Sequence, residues 1–307
     1  MGVRIFKDDK QQELFDKQGY VVAPFIDEAE VKQLNDLFDQ LHPNLPPGGG
    51  FVSGSYSSDF EYKKKASDAI LEVLNKHYER LFENYQAFGA AFLFKMSSET
   101  SELAVHQDWT IVDETKYVAL NCWIPLTDIN ETSGGLQVLP GSHYPAYNTL
   151  RAPTVPFFFS GNEDAVAPQT LPMYVKAGEA VILNQSVIHY SPPNRSGKIR
   201  KAITAGVKTK GAPMKFHYKA GDKIESFAMP EDFLISFDNF YKDIFERPKM
   251  GESIGFKEYV SPVLSRQEVL NLISNLKANA GFEKKAANPV VEQPGSFLKR
   301  LAGIFQS

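Results

Sequence analysis

The segment Glu102-Leu-Ala-Val-His-Gln-Asp-Trp-Thr-Ile-Val112 is typical of a sheet strand, because apolar residues flank a short polar triplet. That triplet, His106-Gln107-Asp108, places a histidine and a carboxylate two residues apart. Side chains at positions i and i+2 of a strand project to the same face, so His106 and Asp108 can bind one ion while Gln107 points away. The segment therefore predicts part of a metal site carried on a β-sheet.

A second predicted strand, Ala180–Ile188, is rich in β-branched residues and leads directly to His189. The stretch Ser191–Gly197 that follows is dense in turn-forming residues, and a further strand is predicted over Ile199–Val207. A hairpin folded at this turn would place Arg200 opposite His189 and on the same face of the sheet. The distal part of the chain thus supplies a third candidate ligand and a nearby cation.

Two histidines and one carboxylate can hold an octahedral metal on one face and leave the opposite face open. This arrangement suits non-haem Fe(II) that must also bind a cosubstrate and dioxygen. The long guanidinium of Arg200 could then form a bidentate pair with the distal carboxylate of that cosubstrate. His106 alone could equally be a hydrogen-bonded structural histidine, but the combination of three ligands and a facing arginine favours an oxygenase.

Longer blocks of sequence around these residues resemble the phytanoyl-CoA dioxygenase family of Fe(II)- and 2-oxoglutarate-dependent oxygenases. Asn121–Asp128 and Ser133–His143 are similar to the family's central block of Trp-x-x-Leu-x-Asp, Gly-x-Leu and Pro-Gly-(Ser/Thr)-His motifs. His189–Arg200 resembles its distal block, His-x-Ser-x-x-Asn-x-Ser-x-x-x-Arg, with the same spacing. Asp16–Phe25 is similar to the family's N-terminal segment. The likeness covers about residues 8 to 210.

The resemblance implies a role for each matching position. Three residues would bind Fe(II) and three would contact 2-oxoglutarate, the first set being His106, Asp108 and His189 and the second Arg200, Ser191 and Trp123. A lysine that some members use toward the cosubstrate has no clear counterpart, and the nearest candidates are Lys95 and the run Lys63–Lys65. The implied fold is mainly β with flanking helices, a double-stranded β-helix (jelly roll) with the iron between its two sheets.

The implied reaction couples oxidation of a substrate to the conversion of 2-oxoglutarate and dioxygen into succinate and CO2. Asp108 favours hydroxylation of a small or medium organic metabolite, because related halogenases have a small residue at that position and bind halide in its place. A desaturase or cyclase on the same iron site is the alternative reaction. Two other classes stay open: a cupin-type metal-binding isomerase, against which Arg200 and Ser191 argue, and a non-catalytic binding protein, against which the intact triad argues.

Composition limits the classes of partner and the location. The chain has 307 residues and a net charge of −4 without a large basic cluster, which argues against nucleic-acid binding. No apolar run is long enough for a transmembrane segment, and residues 1–9 lack the apolar stretch of a secretory signal. A single cysteine, Cys122, fits a reducing compartment. We expect a cytoplasmic enzyme that acts on a small-molecule substrate.

Two regions are predicted along the chain. Residues 1–260 form the jelly-roll domain with its N-terminal helices, and residues 261–307 form a helical extension with a polar linker. The extension contains a predicted helix over Arg266–Ala278 and ends in an amphipathic segment, Phe297–Phe305. That last segment is expected to dock on its own domain. The alternative is that it binds a partner or a membrane surface.

A long insertion, Pro145–Pro172, interrupts the predicted strands of the jelly roll and contains Phe157-Phe158-Phe159. Such a loop inside a compact domain is uncommon unless it serves as a lid or a binding element. The three phenylalanines either line an apolar substrate pocket or plug one end of the barrel. The polar and aromatic stretch Phe51–Phe60 is a second candidate for a substrate loop.

The chain has six histidines, of which two are candidate metal ligands. The other four need a separate interpretation. His143 follows a turn and has no carboxylate partner at metal-ligand spacing, which predicts a structural histidine and not a fourth ligand. His77 falls on the apolar face of a predicted helix, and His42 precedes a proline at a helix end. His217 alternates with its neighbours like a residue of an exposed strand.

Overall fold

The computed structural model describes residues 3–45, 49–144, 150–262 and 264–282. Strands dominate its middle and helices cover its two ends. The described helices are α1 (Asp9–Gln18), α2 (Glu28–Leu41), α3 (Phe60–Leu81), α4 (Glu163–Val166), α5 (Phe240–Asp243) and α6 (Arg266–Asn279). The described strands are β1 (Tyr20–Pro24), β2 (Phe51–Ser53), β3 (Tyr85–Lys95), β4 (Leu103–His106), β5 (Ala119–Pro125), β6 (Gln137–Val138), β7 (Leu171–Pro172), β8 (Glu179–Asn184), β9 (His189–Ser191), β10 (Arg200–Thr209), β11 (Lys215–Ala220), β12 (Lys223–Ala228) and β13 (Glu252–Glu258).

Two antiparallel sheets form the centre of the molecule. The main sheet has the strand order β1-β8-β5-β10-β3-β2, and the smaller sheet has the order β4-β9-β6-β7. Their inner faces share one apolar cluster, in which Val138 of the smaller sheet joins Trp123, Val181 and Ala202 of the main sheet. Two antiparallel sheets packed face to face with a cavity between them make the predicted jelly roll, so this fold class is confirmed.

The N-terminal helices cover the outer face of the main sheet. Leu34 and Phe38 of α2 and Leu74 of α3 pack with sheet residues such as Phe92 and Ile203 in one buried cluster. Helix α2 begins with a pattern that the sequence itself shows: Asp27 caps the helix and Glu30, three residues on, bonds back to it in a capping box. The main sheet is therefore buried on both faces, which explains its nearly continuous apolar strands.

A third antiparallel sheet, β11-β12-β13, follows the jelly roll in the chain. Phe216 and Phe227 of this sheet pack with Phe233, Phe237 and Phe240 from the segment that joins β12 to β13. Trp109 packs against the same cluster from the jelly-roll side. This added layer brings residues far along the chain to the region just after Asp108.

Helix α6 packs on the jelly roll through the insertion. Val269 and Ile273 share a buried cluster with Phe158 and Phe159, while Phe157 packs at its edge. None of the three phenylalanines is among the described residues that line the cavity between the two sheets. They pack against α6 instead, so they do not line an apolar substrate pocket there. The predicted helix over 266–278 is confirmed with one further residue.

The predictions for the C-terminal region extend beyond the described residues. The amphipathic segment 297–305 and the linker after residue 282 lie outside them. The division at residues 260/261 stays a prediction, as does the cytoplasmic location. No helix in the described ranges has both the length and the hydropathy that crossing a bilayer requires.

Candidate metal and cosubstrate site

Three side chains that the sequence singles out converge at one edge of the smaller sheet. His106 ends β4 and His189 begins β9, and the two residues are register partners in the antiparallel pair. The Oδ1 atom of Asp108 lies 3.9 Å from Nε2 of His106 and 3.8 Å from Nε2 of His189. All three ligand atoms lie within 4.8 Å of one another, and no other such cluster occurs in the described residues.

The route by which Asp108 reaches this cluster differs from the prediction. Strand β4 ends at His106, so Asp108 lies two residues beyond the strand and not on its alternating face. Gln107, expected to point away, is among the residues that line the cavity, and its Nε2 atom donates to the carbonyl of Ser186 at 2.5 Å. The chain after β4 turns out of the ladder, so the sequence spacing alone does not fix these directions.

Hydrogen bonds orient the three ligands toward one point. The Nδ1 atom of His106 bonds the carbonyl of Ala104 at 2.7 Å, and that of His189 bonds the carbonyl of Val187 at 2.9 Å. A carbonyl can only accept, so each Nδ1 carries the proton and each Nε2 keeps its lone pair for a metal. Burial, reinforced by the nearby His189, lowers the pKa of His106 to about 4, which keeps its ring neutral. The donor set fits Fe(II).

Arg200 reaches the same cavity from the main sheet, not from a hairpin with β9. Its register partner is Lys95 of β3, so the predicted cross-strand pairing with His189 is wrong. Buried Asn194 explains the difference, because its Nδ2 atom donates to the carbonyls of Lys95 and Lys198. The turn is thereby bonded to β3, and the chain crosses from the smaller sheet to the main one.

The Arg200 guanidinium is buried and lacks partners for part of its donor set. It is 3% exposed, and its Nε and Nη1 atoms have no hydrogen-bond partner among the described residues. Burial lowers the pKa of Arg200 to about 9. Its central carbon lies 5.6 Å from the ring centroid of Trp123, and buried Ser191 lines the same cavity. An unpaired buried cation is costly, and an anionic ligand would offset that cost.

The two lysine candidates lie in different places. The Nζ atom of Lys95 donates to the carbonyls of Ser191 and Pro192 at 2.8 and 2.7 Å, and Lys95 is not among the described cavity-lining residues. Lys63 donates instead to the carbonyl of Phe237, 2.5 Å away in the added layer. The direct contact of a lysine with the cosubstrate stays a prediction.

The remaining histidines have structural partners. His143 Nε2 bonds the carbonyl of Asp16 at 3.0 Å, outside the ligand cluster, as predicted. His77 bonds both carboxylate oxygens of Glu30, and His42 is the C-terminal cap of α2. His217 corrects a prediction: it is 6% exposed, not at an exposed position, and it bonds Oγ of Ser226.

One central cavity of about 270 Å³ holds these groups together. Its lining includes the three candidate ligands and Arg200, together with Phe51 and Tyr56 of the stretch predicted as a substrate loop. Trp109 and Phe240 also line the cavity, although no motif in the sequence singles them out. Asn121 donates to Oδ2 of Asp108 at 3.3 Å and so helps to orient that carboxylate.

Comparison with known proteins agrees with this geometry. The family model described as phytanoyl-CoA dioxygenase matches residues 15–202. The chain belongs to the phytanoyl-CoA dioxygenase family. This family is one of Fe(II)- and 2-oxoglutarate-dependent oxygenases, and the ligand cluster together with the unpaired Arg200 supplies the groups that such chemistry needs.

Relatives of this family member occur in distant organisms. The phytanoyl-CoA dioxygenase domain-containing protein 1 homolog of Dictyostelium discoideum is 30% identical over 154 residues, 48% of this chain and 52% of that protein. The chain thus spans about half the length of that relative. Phytanoyl-CoA dioxygenase 1 of Oryza sativa subsp. japonica is 28% identical over 251 residues, 65% of this chain and 88% of that protein.

Solved structures also resemble this family member. One is the non-heme alpha ketoglutarate dependent carbocyclase SnoK from nogalamycin biosynthesis, with 18% identity, a TM-score of 0.49, and coverage of 68% of this chain and 86% of that one. Another is EvdO2 from Micromonospora carbonacea var. aurantiaca, with 18% identity and a TM-score of 0.45. The match covers 68% of this chain and 94% of that one.

Proposed function

We propose that this family member hydroxylates a small or medium organic metabolite, using Fe(II), 2-oxoglutarate and dioxygen and releasing succinate and CO2. The observation that carries the proposal is the buried guanidinium of Arg200, with two unpartnered atoms, in the same cavity as three convergent metal ligands. A purely structural metal site has no use for a buried, unpaired cation in the same cavity, and Arg200 and Ser191 together argue against an isomerase that needs no 2-oxoglutarate.

His106, Asp108 and His189 would hold the iron through one atom each. The backbone carbonyls behind both imidazoles fix the rings, and Asn121 fixes the carboxylate. Bound in this way, the metal would supply the activation of dioxygen for attack on a C–H bond. The protein's part is to orient the ligands, to exclude water and to present the substrate bond.

Arg200 and Ser191 would bind the distal carboxylate of 2-oxoglutarate, and Trp123 would pack against its carbon chain. Lys95 helps to fix the position of Ser191, because its Nζ atom donates to the backbone carbonyls of Ser191 and Pro192. We include Lys95 in the cosubstrate site on that basis, as a residue that positions Ser191.

The first experiment tests the chemistry with a metabolite screen for substrate-stimulated succinate release. Release that depends on both Fe(II) and 2-oxoglutarate is expected, and His106→Ala should abolish it together with metal binding. His143→Ala is the matched control, because this histidine lies outside the ligand cluster. Substrate turnover without 2-oxoglutarate would contradict the proposal and favour an isomerase.

The second experiment tests the reaction type by product mass spectrometry under labelled dioxygen. Because Asp108 takes the position that a halide would need, the expected product gains one oxygen atom from dioxygen even in excess chloride. A chlorinated product would refute hydroxylation. Loss of two hydrogens would instead assign a desaturase or cyclase to the same iron site.

A further inference from the structure

Three aromatic side chains form a continuous wall of the cavity, which we call the aromatic wall: Tyr56, Trp109 and Phe240. The rings of Tyr56 and Phe240 are stacked, with centroids 3.9 Å apart and an angle of 17°. The rings of Trp109 and Phe240 are also nearly parallel, with centroids 5.8 Å apart. Aromatic rings pair favourably with a further aromatic ring, either stacked or edge to face.

The aromatic wall lies close to the proposed iron. Trp109 follows Asp108 directly in the chain. Tyr56 and Phe240 line the same cavity as Asp108. A group packed on this wall would therefore lie beside the reacting centre.

Every charged or histidine side chain that lines the cavity has a proposed role in binding the metal or 2-oxoglutarate. Among the described lining residues, the acidic, basic and histidine side chains are His106, Asp108, His189 and Arg200. The other polar lining residues are uncharged serine, threonine, asparagine, glutamine and tyrosine side chains, namely Ser53, Ser55, Tyr56, Gln107, Asn121, Gln185, Ser191 and Thr204. Burying a charge without a partner is costly, so the cavity disfavours a charged group on the substrate.

Part of the wall comes from the chain beyond the family match, which ends at residue 202. Leu234, Ile235 and Phe240 of that later segment all line the cavity. Buried Lys63 of α3 fastens the same segment through its bond to the carbonyl of Phe237. The wall is therefore held in place by packing and by a buried hydrogen bond on its outer side.

Building on the proposed function, we propose that the aromatic wall binds a planar, uncharged ring system, and that such compounds are the substrate class. Zwitterionic amino acids would leave a buried charge unpaired at this position. Linear acyl chains would make no ring–ring contacts with the wall.

The test uses three probes that share one ring system: 2-naphthamide, 2-naphthoate and 2-naphthylmethylammonium. Binding to the full chain loaded with Zn(II) and 2-oxoglutarate is followed by saturation-transfer NMR of the ligands. We expect the neutral amide to bind at least tenfold more tightly than either charged probe. Similar affinities for all three, a preference for a charged probe, or no binding of the amide would overturn the proposal.

Two variants locate the binding. Phe240→Leu keeps an apolar side chain but removes the flat ring, and should weaken 2-naphthamide binding at least fivefold, as should Tyr56→Leu. Phe245→Leu, at an exposed position of the same segment, is the matched control and should leave binding unchanged. Equal effects of Phe240→Leu and Phe245→Leu would overturn the assignment.

The same spectra separate this inference from the proposed function, because they also contain the signals of 2-oxoglutarate. A protein that binds 2-naphthamide selectively but not 2-oxoglutarate upholds the wall and overturns only the proposed function. A protein that binds 2-oxoglutarate but not 2-naphthamide overturns the assignment of the aromatic wall and leaves the proposed function standing.

Discussion

At the scale of single residues, two buried basic side chains, Lys95 and Arg200, lie side by side as register partners. Neither forms an ion pair with a described residue. Burial, and then the charge of Arg200, lowers the pKa of Lys95 to about 6. A neutral amine has two N–H donors, and the carbonyls of Ser191 and Pro192 accept both. The Nε and Nη1 atoms of Arg200 have no such acceptors among the described residues, so its charge stays available for an anion.

Replacing Arg200 by Leu should weaken 2-oxoglutarate binding at least tenfold and leave metal affinity nearly unchanged. The lost contact is a charge-assisted hydrogen bond worth about 1.5–3 kcal/mol. Calorimetric titration of the Mn(II)-loaded protein with 2-oxoglutarate measures the change. Lys198→Ala, in the exposed turn before β10, is the control and should behave like the unmodified protein. An unchanged affinity in Arg200→Leu would remove the role given to this residue.

Lys95 also predicts a dependence of stability on pH. Its folded pKa of about 6 lies below the ordinary value of 10.5, so between these values the unfolded chain holds one proton more than the folded protein. The stability of the unmodified protein relative to Lys95→Met should therefore rise with pH from about 6 to 10.5 and be flat below 6. Urea unfolding of both proteins between pH 6 and 9 tests this. A constant difference would show that Lys95 stays charged in the fold.

At the scale of elements, Glu30 joins two helices. It completes the capping box of α2 and also bonds His77 and Lys76 of α3. Burial opposes its ionisation, but hydrogen bonds from Lys76, from the Asp27 backbone and from His77 outweigh that effect and lower the pKa of Glu30 to about 2. A single carboxylate thus fixes the start of one helix and its packing against the next.

Glu30→Gln should lower the free energy of unfolding by about 1–3 kcal/mol at neutral pH, the cost of losing hydrogen bonds to a charged group. Because the folded pKa of Glu30 is depressed, its contribution is complete above about pH 4.5 and is lost as the pH falls toward 2. Urea unfolding at pH 7, 4 and 3 should therefore show a shrinking difference. Glu28→Gln, at an exposed position in the same turn, is the control.

At the scale of the whole molecule, the proposed site joins the two sheets. His106 and His189 belong to the smaller sheet, and Arg200 begins a strand of the main sheet. A metal alone would bind on the side of the smaller sheet. 2-Oxoglutarate between the metal and Arg200 would connect both sheets, so its binding should add to the cooperative stability of the jelly roll.

Ligand binding should accordingly raise the melting temperature in two steps. A ligand that binds only the folded state stabilises it by about 2.7 kcal/mol at a concentration of 100 Kd. We expect one rise with Mn(II) and a second with 2-oxoglutarate. Arg200→Leu should keep the first and lose the second, whereas His106→Ala should lose both. Differential scanning calorimetry measures the steps, and a second step retained in Arg200→Leu would contradict the bridging role.

Features set by neighbouring residues could be predicted from the sequence alone. The three candidate ligands, the capping box at Asp27 and the helix that begins at Arg266 all depend on short patterns, such as ligand spacing, cap residues and helical periodicity. The family blocks pointed to Arg200, and the family resemblance itself is confirmed by the family model, which matches residues 15–202.

Only the tertiary structure decided which strand each of these residues joins. Asn194 bonds β3 and thereby places Arg200 in the main sheet, although its nearest sequence neighbours favour a local hairpin. The aromatic wall joins Tyr56, Trp109 and Phe240 from three distant parts of the chain. Strand partners and cavity walls depend on packing and hydrogen bonds between remote segments, and no short pattern records which remote segments will meet.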